Sequence, residues 1–159
     1  MKRTFGSYTV LLLGMAAMQT IASAQETPGL EGIWYAVVTP VFCQTGLVIP
    51  NAPTFRGLYM FGHDGSLTNE AGFLVSTPQR SSGLGTWRHT QAQMYSGAFR
   101  FFRYNADGSL QVLRRVATTI VLDGDQFVSM DKFQDFDADN HPISAVGSSG
   151  CNTVTATRQ

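Results

Sequence analysis

The sequence has little charge and no excess of either sign. Of its 159 residues 14% are charged, and 11 Lys and Arg side chains are matched by 11 Asp and Glu. The charges form neither a basic patch nor a run of one sign. Partners that are recognised through a strong electrostatic field, such as nucleic acids and anionic membrane surfaces, are therefore not expected.

A hydrophobic run long enough to span a bilayer is also missing. The apolar segment Val10–Met18 is too short, and it lies between the basic pair Lys2-Arg3 and the small residues Ala22-Ser23-Ala24. This arrangement is typical of a secretory signal peptide that is cleaved after residue 24. We expect residues 25–159 to form one exported domain, periplasmic or extracellular, without membrane insertion.

Cysteine is scarce, since Cys43 and Cys151 are the only two in the chain. In an exported protein such a pair is read first as a disulfide, with two free buried thiols as the alternative. The bridge would join positions 108 residues apart. Chain-entropy estimates give a loop of that length about 4 to 5 kcal/mol of stabilisation.

Helical periodicity is absent after the signal segment. Short alternating apolar and aromatic runs are instead separated by turn residues, as in Gly62-His63-Asp64-Gly65 and Asp123-Gly124-Asp125. Short connections favour antiparallel neighbours, so we expect an all-β fold, an eight-stranded antiparallel up-and-down barrel. Two longer segments, 44–54 and 75–83, are predicted as loops. The predicted strands are 31–43, 55–62, 66–74, 84–90, 94–104, 109–122, 126–136 and 142–157.

Closure of the barrel requires the first strand to pair with the last, and the sequence favours one register. If Cys43 lies opposite Cys151, antiparallel pairing brings Trp34 next to Arg158. Because strands alternate faces, the cysteines then lie outside, while Trp34 and Arg158 meet inside at the barrel floor. A guanidinium over an indole contributes roughly 0.5 to 2 kcal/mol. The residues predicted to face inward on these strands are Trp34, Ala36, Val38, Phe42, Val154, Ala156 and Arg158.

The combination of Gly32-Ile33-Trp34 on the first strand and Arg158 on the last resembles the lipocalin pattern of the calycin superfamily. In that family the Trp closes the narrow end of the barrel and the Arg packs across it. The resemblance implies these structural roles for Gly32, Trp34 and Arg158, and a small, mostly apolar ligand inside. It also implies that the long first loop, 44–54, forms a lid over the open end.

The hairpin at Asp123-Gly124-Asp125 defines the predicted lining. Pairing Leu122 with Phe127 gives one inner face that is apolar in its middle, and strand 94–104 adds aromatic rings. Apolar walls with few polar groups are typical of a ligand cavity, although an eight-stranded barrel can also be filled by its own side chains. The predicted ligand-binding residues are Tyr95, Phe99, Phe101, Arg114, Thr118, Phe127, Asp131 and Phe133.

Asp131 is the most unusual residue of this lining. An inward carboxylate needs hydrogen-bond partners or becomes neutral. We expect it to bond Thr118 or Tyr95, or a strand bulge to turn it outward, and the alternative is a role in orienting a ligand or accepting a proton. Arg114 and Asp135 are predicted to form a cross-strand ion pair near one end of the barrel.

Motifs for metal, cofactor or covalent chemistry are missing. His63, His89 and His141 are scattered without ligand spacing, so no metal is expected. The segment that starts at Asn105 begins like a calcium loop, but Val116 stands where the loop needs Glu. No nucleophile elbow, zinc-protease helix or phosphate loop is present, so no catalytic residue and no cofactor are predicted.

The leading functional interpretation is therefore binding of a small, mostly apolar molecule inside the barrel. One alternative is a periplasmic protein-binding module of the protease-inhibitor type, which would insert the segment Gln25–Gly29 into its partner. A further alternative is a barrel isomerase or cyclase that uses Asp131 or Tyr95 with a water molecule in the cavity.

Overall fold

The computed structural model describes residues 29–72 and 79–159, and this part of the chain is a closed barrel of eight strands. Each strand pairs antiparallel with the next, and β1 pairs with β8, which confirms the predicted all-β up-and-down barrel. No helix in the described part is long and apolar enough to cross a membrane. The predicted signal segment, 1–24, lies outside the described residues. The strands are β1 Gly32–Val41, β2 Phe55–Phe61, β3 Ser66–Gly72, β4 Gly83–Gln91, β5 Met94–Tyr104, β6 Leu110–Asp123, β7 Gln126–Phe136 and β8 Ser149–Arg158.

The start of β8 differs from the prediction, because the strand begins at Ser149 rather than at residue 142. Residues 137–148 form a loop whose only ladder contact is the isolated bridge between Phe136 and Pro142. The Ser148 hydroxyl oxygen lies 2.6 Å from the carbonyl oxygens of both Ile143 and Ala145, which share its single hydrogen, and this contact holds the loop in tight turns. These local bonds replace strand pairing over the apolar residues that suggested a longer strand.

The closed end of the barrel is built around Trp34, which is completely buried. The Arg158 guanidinium lies 4.3 Å from the centre of the indole ring, which confirms the predicted contact between the first and last strands. The indole N–H donates to the carbonyl of Leu30 at 2.8 Å. Arg158 donates to the Gly29 carbonyl at 2.7 Å and to the Glu31 carbonyl, so the chain that leads into β1 is fixed across the floor.

The disulfide between Cys43 and Cys151 is formed, with a Cα–Cα distance of 5.1 Å. The predicted register is displaced by two residues, because Cys151 pairs with Val41 in the ladder and not with Cys43. Cys43 lies just beyond the end of β1 and is exposed. Phe42 was predicted to face inward, and this is wrong, because its side chain is 47% exposed. The strand ends at Val41 and the backbone turns there, with the Gly46 amide donating to the Phe42 carbonyl at 2.8 Å.

The register of β6 and β7 is the predicted one, with Leu122 opposite Phe127. Alternate residues of both strands face inward, and the large rings gather at the closed end. Phe127 packs against Trp34 with ring centres 5.1 Å apart, and Phe61 packs against Phe127 at 5.9 Å. This half of the barrel is therefore a filled core, and the open half is left for a cavity.

Candidate functional site

A cavity of about 170 Å³ lies inside the barrel between the aromatic core and the open end. Its walls are mainly apolar and come from strands on all sides of the barrel. Polar side chains lie at its two ends. The lining residues are Val38, Phe55, Gly57, Tyr59, Asn69, Ala71, Arg80, Phe99, Phe101, Arg103, Arg114, Val116, Asp131, Phe133 and Asn152.

Aromatic rings supply most of the wall. Phe99 and Phe101 follow one another on the inner face of β5 and stack with ring centres 6.3 Å apart. Tyr59 meets Phe99 edge to face at 6.0 Å. Rings that are held by one another in this way form a rigid apolar surface, which suits a flat or compact apolar ligand.

Asp131 occupies the inner end of the cavity and is 2% exposed. Its carboxylate accepts hydrogen bonds from the Ser129 hydroxyl at 2.9 Å and the Tyr59 hydroxyl at 3.3 Å. Burial raises the pKa of Asp131, and the neighbouring hydroxyl groups oppose that rise in part. The inward orientation is as predicted, but the partner is Tyr59 rather than Tyr95.

Thr118, the other predicted partner, lies directly across the strand pair from Asp131. Its hydroxyl faces the carboxylate closely enough to lower the pKa of Asp131, yet it makes no hydrogen bond of normal geometry and has no other partner in the described part of the chain.

Burial, reinforced by the Asp131 charge, raises the pKa of Tyr59 well above its usual value, so the phenol stays protonated and acts as a donor.

At the open end, Arg114 and Asp135 form the predicted cross-strand ion pair. Two nitrogens of the guanidinium donate to the two carboxylate oxygens at 2.6 and 2.8 Å. The same guanidinium lies 3.8 Å from the centre of the Phe133 ring. The charge of Arg114 is therefore balanced within the protein, and the side chain is fixed.

Arg80 reaches into the cavity from the segment between β3 and β4. The backbone there pairs with the end of β5, as the Tyr104 amide donates to the Gln79 carbonyl at 2.9 Å. The Arg80 guanidinium lies 3.6 Å from the centre of the Phe101 ring and donates to the side-chain and backbone oxygens of Asn69 at 3.0 and 3.1 Å. Burial lowers the pKa of Arg80 to about 10, and the charge of the Glu70 carboxylate opposes this only in part.

Arg103 is the third cation of the lining and is half-buried. Its guanidinium makes no hydrogen bond or ion pair with the residues that the structure describes. Burial and the positive charge of Arg114 lower the pKa of Arg103, and the Asp135 carboxylate offsets this only in part. A cation without a direct partner is thus present in the wall of the cavity.

The predicted ligand-binding residues divide into two groups. Phe99, Phe101, Arg114, Asp131 and Phe133 line the cavity. Tyr95, Thr118 and Phe127 are buried but do not line it. Tyr95 and Phe127 belong to the closed-end core, where they pack on Trp87 at 5.7 Å and on Trp34 at 5.1 Å.

Several lining residues were not predicted. Tyr59 lies opposite Trp34 in the ladder, so strand alternation on β2 could have placed it inside. Arg80 is the only charged residue of the loop VSTPQRSSG, and this is the only feature of the sequence that could have pointed to Arg80 as a cavity residue. Asn69, Arg103 and Asn152 also line the cavity, each on the inner face of its strand.

The segment 44–54 does not form the expected lid, since none of its residues lines the cavity. It folds back on the end of β1, where the Phe42 amide donates to Leu47 at 2.9 Å and the Ile49 amide donates to Pro40 at 3.1 Å. In the segment proposed to insert into a protein partner, 25–28 lie outside the described residues.

The histidines take part in surface contacts. His63 lies 3.0 Å from the Glu31 carboxylate, and His141 lies 3.7 Å from the Asp137 carboxylate. His89 is also exposed, and its ring contacts the Ala92 carbonyl at 2.6 Å. Over residues 29–72 and 79–159, no group of three or more His, Cys, Asp and Glu side chains is arranged to hold a metal ion.

Comparison with protein-family models, curated proteins and solved structures found no match. The functional argument therefore depends on the geometry of the cavity. The features that carry it are an apolar aromatic wall, a buried acid with a phenol donor at the inner end, and three arginines toward the open end.

Proposed function

We propose that this protein is an exported, lipocalin-like barrel that binds a small, mostly apolar molecule in its interior cavity. The observation that carries the proposal is the cavity itself, with about 170 Å³ of space and walls of Phe, Val and Tyr side chains. A filled barrel would have no such space at the level of Phe99 and Phe101. The disulfide is compatible with export.

The size of the cavity limits the ligand. An engineered apolar cavity of about 150 Å³ accepts benzene, so a single substituted ring or a short branched chain fits here. A ligand of that size in an aromatic pocket gains about 4 to 5.5 kcal/mol, which corresponds to a dissociation constant of roughly 0.1 to 1 mM. Larger ligands would require the open end to rearrange.

Polar groups at the inner end of the cavity can orient a bound ligand. Asp131 accepts hydrogen bonds, and the phenol of Tyr59 already donates to it at 3.3 Å. A hydroxyl or amide N–H of a ligand could share this acceptor, whereas an anionic group would be repelled from it. The polar groups are therefore few and fixed, as is usual for sites that select a small molecule.

A second candidate function is proton transfer by a barrel isomerase or cyclase. The observation that favours it is the position of Asp131, which is buried, faces the cavity and has a raised pKa caused by burial. A carboxylate of this kind can act as a general base toward a bound C–H acid. The ring opening of 1,2-benzisoxazole, in which a base removes the C3 proton, tests this candidate. The wild-type protein should accelerate this reaction over the rate in buffer, and Asp131→Asn should abolish the acceleration.

Calorimetric titration with benzamide, a neutral aromatic ligand, tests the binding proposal. The wild-type protein should bind it, and Ala71→Phe, which places a ring in the cavity, should not. Ala117→Phe is the matched control, because Ala117 is exposed on the outside of β6. Equal binding by both variants, or no binding by a folded wild-type protein, would contradict the proposal.

A further inference from the structure

The charges around the cavity do not balance. Arg114 is neutralised by Asp135, with oxygen–nitrogen distances of 2.6 and 2.8 Å. Arg80 donates to neutral oxygens of Asn69 and Ser81 and has no carboxylate partner. Arg103 has no direct partner among the described residues. Two cations in the lining therefore lack an ion-pair partner among the described residues. The more distant carboxylates, Glu70 for Arg80 and Asp135 for Arg103, offset the cost of burying these charges only in part.

A cation held in a partly desolvated site without a counter-ion is costly, and an anion that enters the site removes that cost. Among the described residues that line the cavity, Asp131 is the only carboxylate, and it lies at the inner end, where Ser129 and Tyr59 hold it. It forms no ion pair with Arg80 or Arg103. The missing negative charge thus belongs at the open end of the cavity.

We infer that the ligand of this cavity is a small carboxylate with an apolar ring or chain, whose carboxylate is bound by Arg103. The inference rests on the proposed function, because it assigns the charge and orientation of the molecule that the cavity binds. The apolar body lies against Phe99 and Phe101, and the carboxylate faces the open end.

Arg103 suits this role better than the other two arginines. A guanidinium presents a planar fork of N–H donors that matches a carboxylate, and no described residue occupies the fork of Arg103. The fork of Arg114 is occupied by Asp135, and Arg80 is stacked on Phe101 at 3.6 Å with its donors directed to Asn69. The backbone of Arg80 pairs with that of Arg103 in an isolated β-bridge, so Arg80 adds positive potential beside it.

The two ends of the cavity also set the direction of binding. The Asp131 carboxylate repels an anion from the inner end, while Arg103 and Arg80 attract it to the open end. A molecule with one anionic end and one apolar end therefore binds in one orientation. A neutral molecule of the same shape loses the charge-assisted hydrogen bonds and binds more weakly.

Calorimetric titration with benzoate and benzamide tests the inference, because the two probes share a shape and differ in charge at pH 7. Wild-type protein should bind benzoate about tenfold more tightly than benzamide, which corresponds to one charge-assisted contact. Arg103→Gln should remove this preference, so that the variant binds the two probes with similar affinity. Arg100→Gln is the matched control, since Arg100 lies on the same strand with its side chain exposed outside the barrel.

The possible outcomes distinguish failure of the carboxylate assignment from failure of the proposed binding function. If benzamide binds as well as benzoate, the charge assignment is overturned and the binding function stands. If benzoate is preferred but Arg103→Gln keeps that preference, the assignment to Arg103 is overturned. If neither probe binds to folded wild-type protein, both fail. The wild-type comparison needs no variant, so it decides the charge preference of the cavity even if Arg103→Gln does not fold.

Discussion

The Arg158 guanidinium covers the Trp34 indole at 4.3 Å and joins the last strand of the barrel to the first. The same side chain binds two carbonyl groups of the segment that precedes β1 and pairs with Asp125 at 2.9 Å. One arginine thus connects three separate parts of the chain at the closed end. The contact adds to the ladder between β1 and β8 that closes the barrel.

Replacement of Arg158 by Ala should lower the free energy of unfolding by about 1 to 3 kcal/mol, because it removes the cation–π contact and leaves backbone carbonyls at the floor without donors. Urea unfolding followed by tryptophan fluorescence measures this. Arg100→Ala, on the exposed face of β5, should change stability little. Equal effects of the two substitutions would show that the floor contact contributes nothing specific.

Loss of the disulfide should be more costly. The bridge between Cys43 and Cys151 closes 108 residues of chain, for which chain-entropy estimates give about 4 to 5 kcal/mol. The double variant Cys43→Ser, Cys151→Ser should unfold at a much lower urea concentration than the oxidised protein. Reductant should lower the midpoint of the wild-type protein and leave that of the double variant unchanged, and a midpoint independent of reductant in both would refute the bridge.

Asp131 should make stability fall as the pH rises. Burial raises its pKa in the folded protein above the ordinary value of 3.8, so its protonated form favours folding. This contribution is complete below pH 3.8 and is lost as the pH passes the folded-state value. The stability of wild type relative to Asp131→Asn, measured by urea unfolding, should therefore be greater at pH 4 than at pH 7. An opposite trend would mean that the carboxylate is stabilised in its charged form.

Gly85 should be intolerant of any side chain, because the backbone of β5 passes directly over it. A Cβ atom there would lie 1.9 Å from the Ala98 carbonyl oxygen and 2.6 Å from the Phe99 Cα. Gly85→Ala should lower the free energy of unfolding by about 2 kcal/mol or more. The control is Gly72→Ala, where the nearest described atom is the Arg56 carbonyl oxygen at an ordinary 3.6 Å. A stable Gly85→Ala variant would contradict this close strand approach.

Strand alternation and turn residues account for what the sequence predicted well. The β6–β7 hairpin fixes the register at Leu122 and Phe127, and the parity of Trp34 and Arg158 places both at the floor. Asp131 follows from the same alternation. These predictions succeed because neighbouring strands in an antiparallel barrel constrain one another through short turns.

Features outside the strands were not predictable in the same way. Arg80 enters the cavity because the backbone around it pairs with the end of β5, a contact that no periodic pattern encodes. The segment 44–54 folds back on β1 instead of covering the open end, since local hydrogen bonds at Phe42 and Ile49 decide its path. Phe127 and Phe101 both face inward, but they lie at different heights along the barrel axis. Phe101 lines the cavity, whereas Phe127 packs on Trp34 in the closed-end core, and strand alternation does not predict this difference.

The central claim is that the barrel contains an apolar cavity open to a small molecule, and xenon binding in a crystal tests it most directly. Xenon enters apolar cavities without needing any polar group. Under xenon pressure, wild-type crystals should show a strong peak between Phe99, Phe101 and Val116, and Ala71→Phe crystals should not. A wild-type structure in which side chains fill this space and no xenon binds would contradict the account.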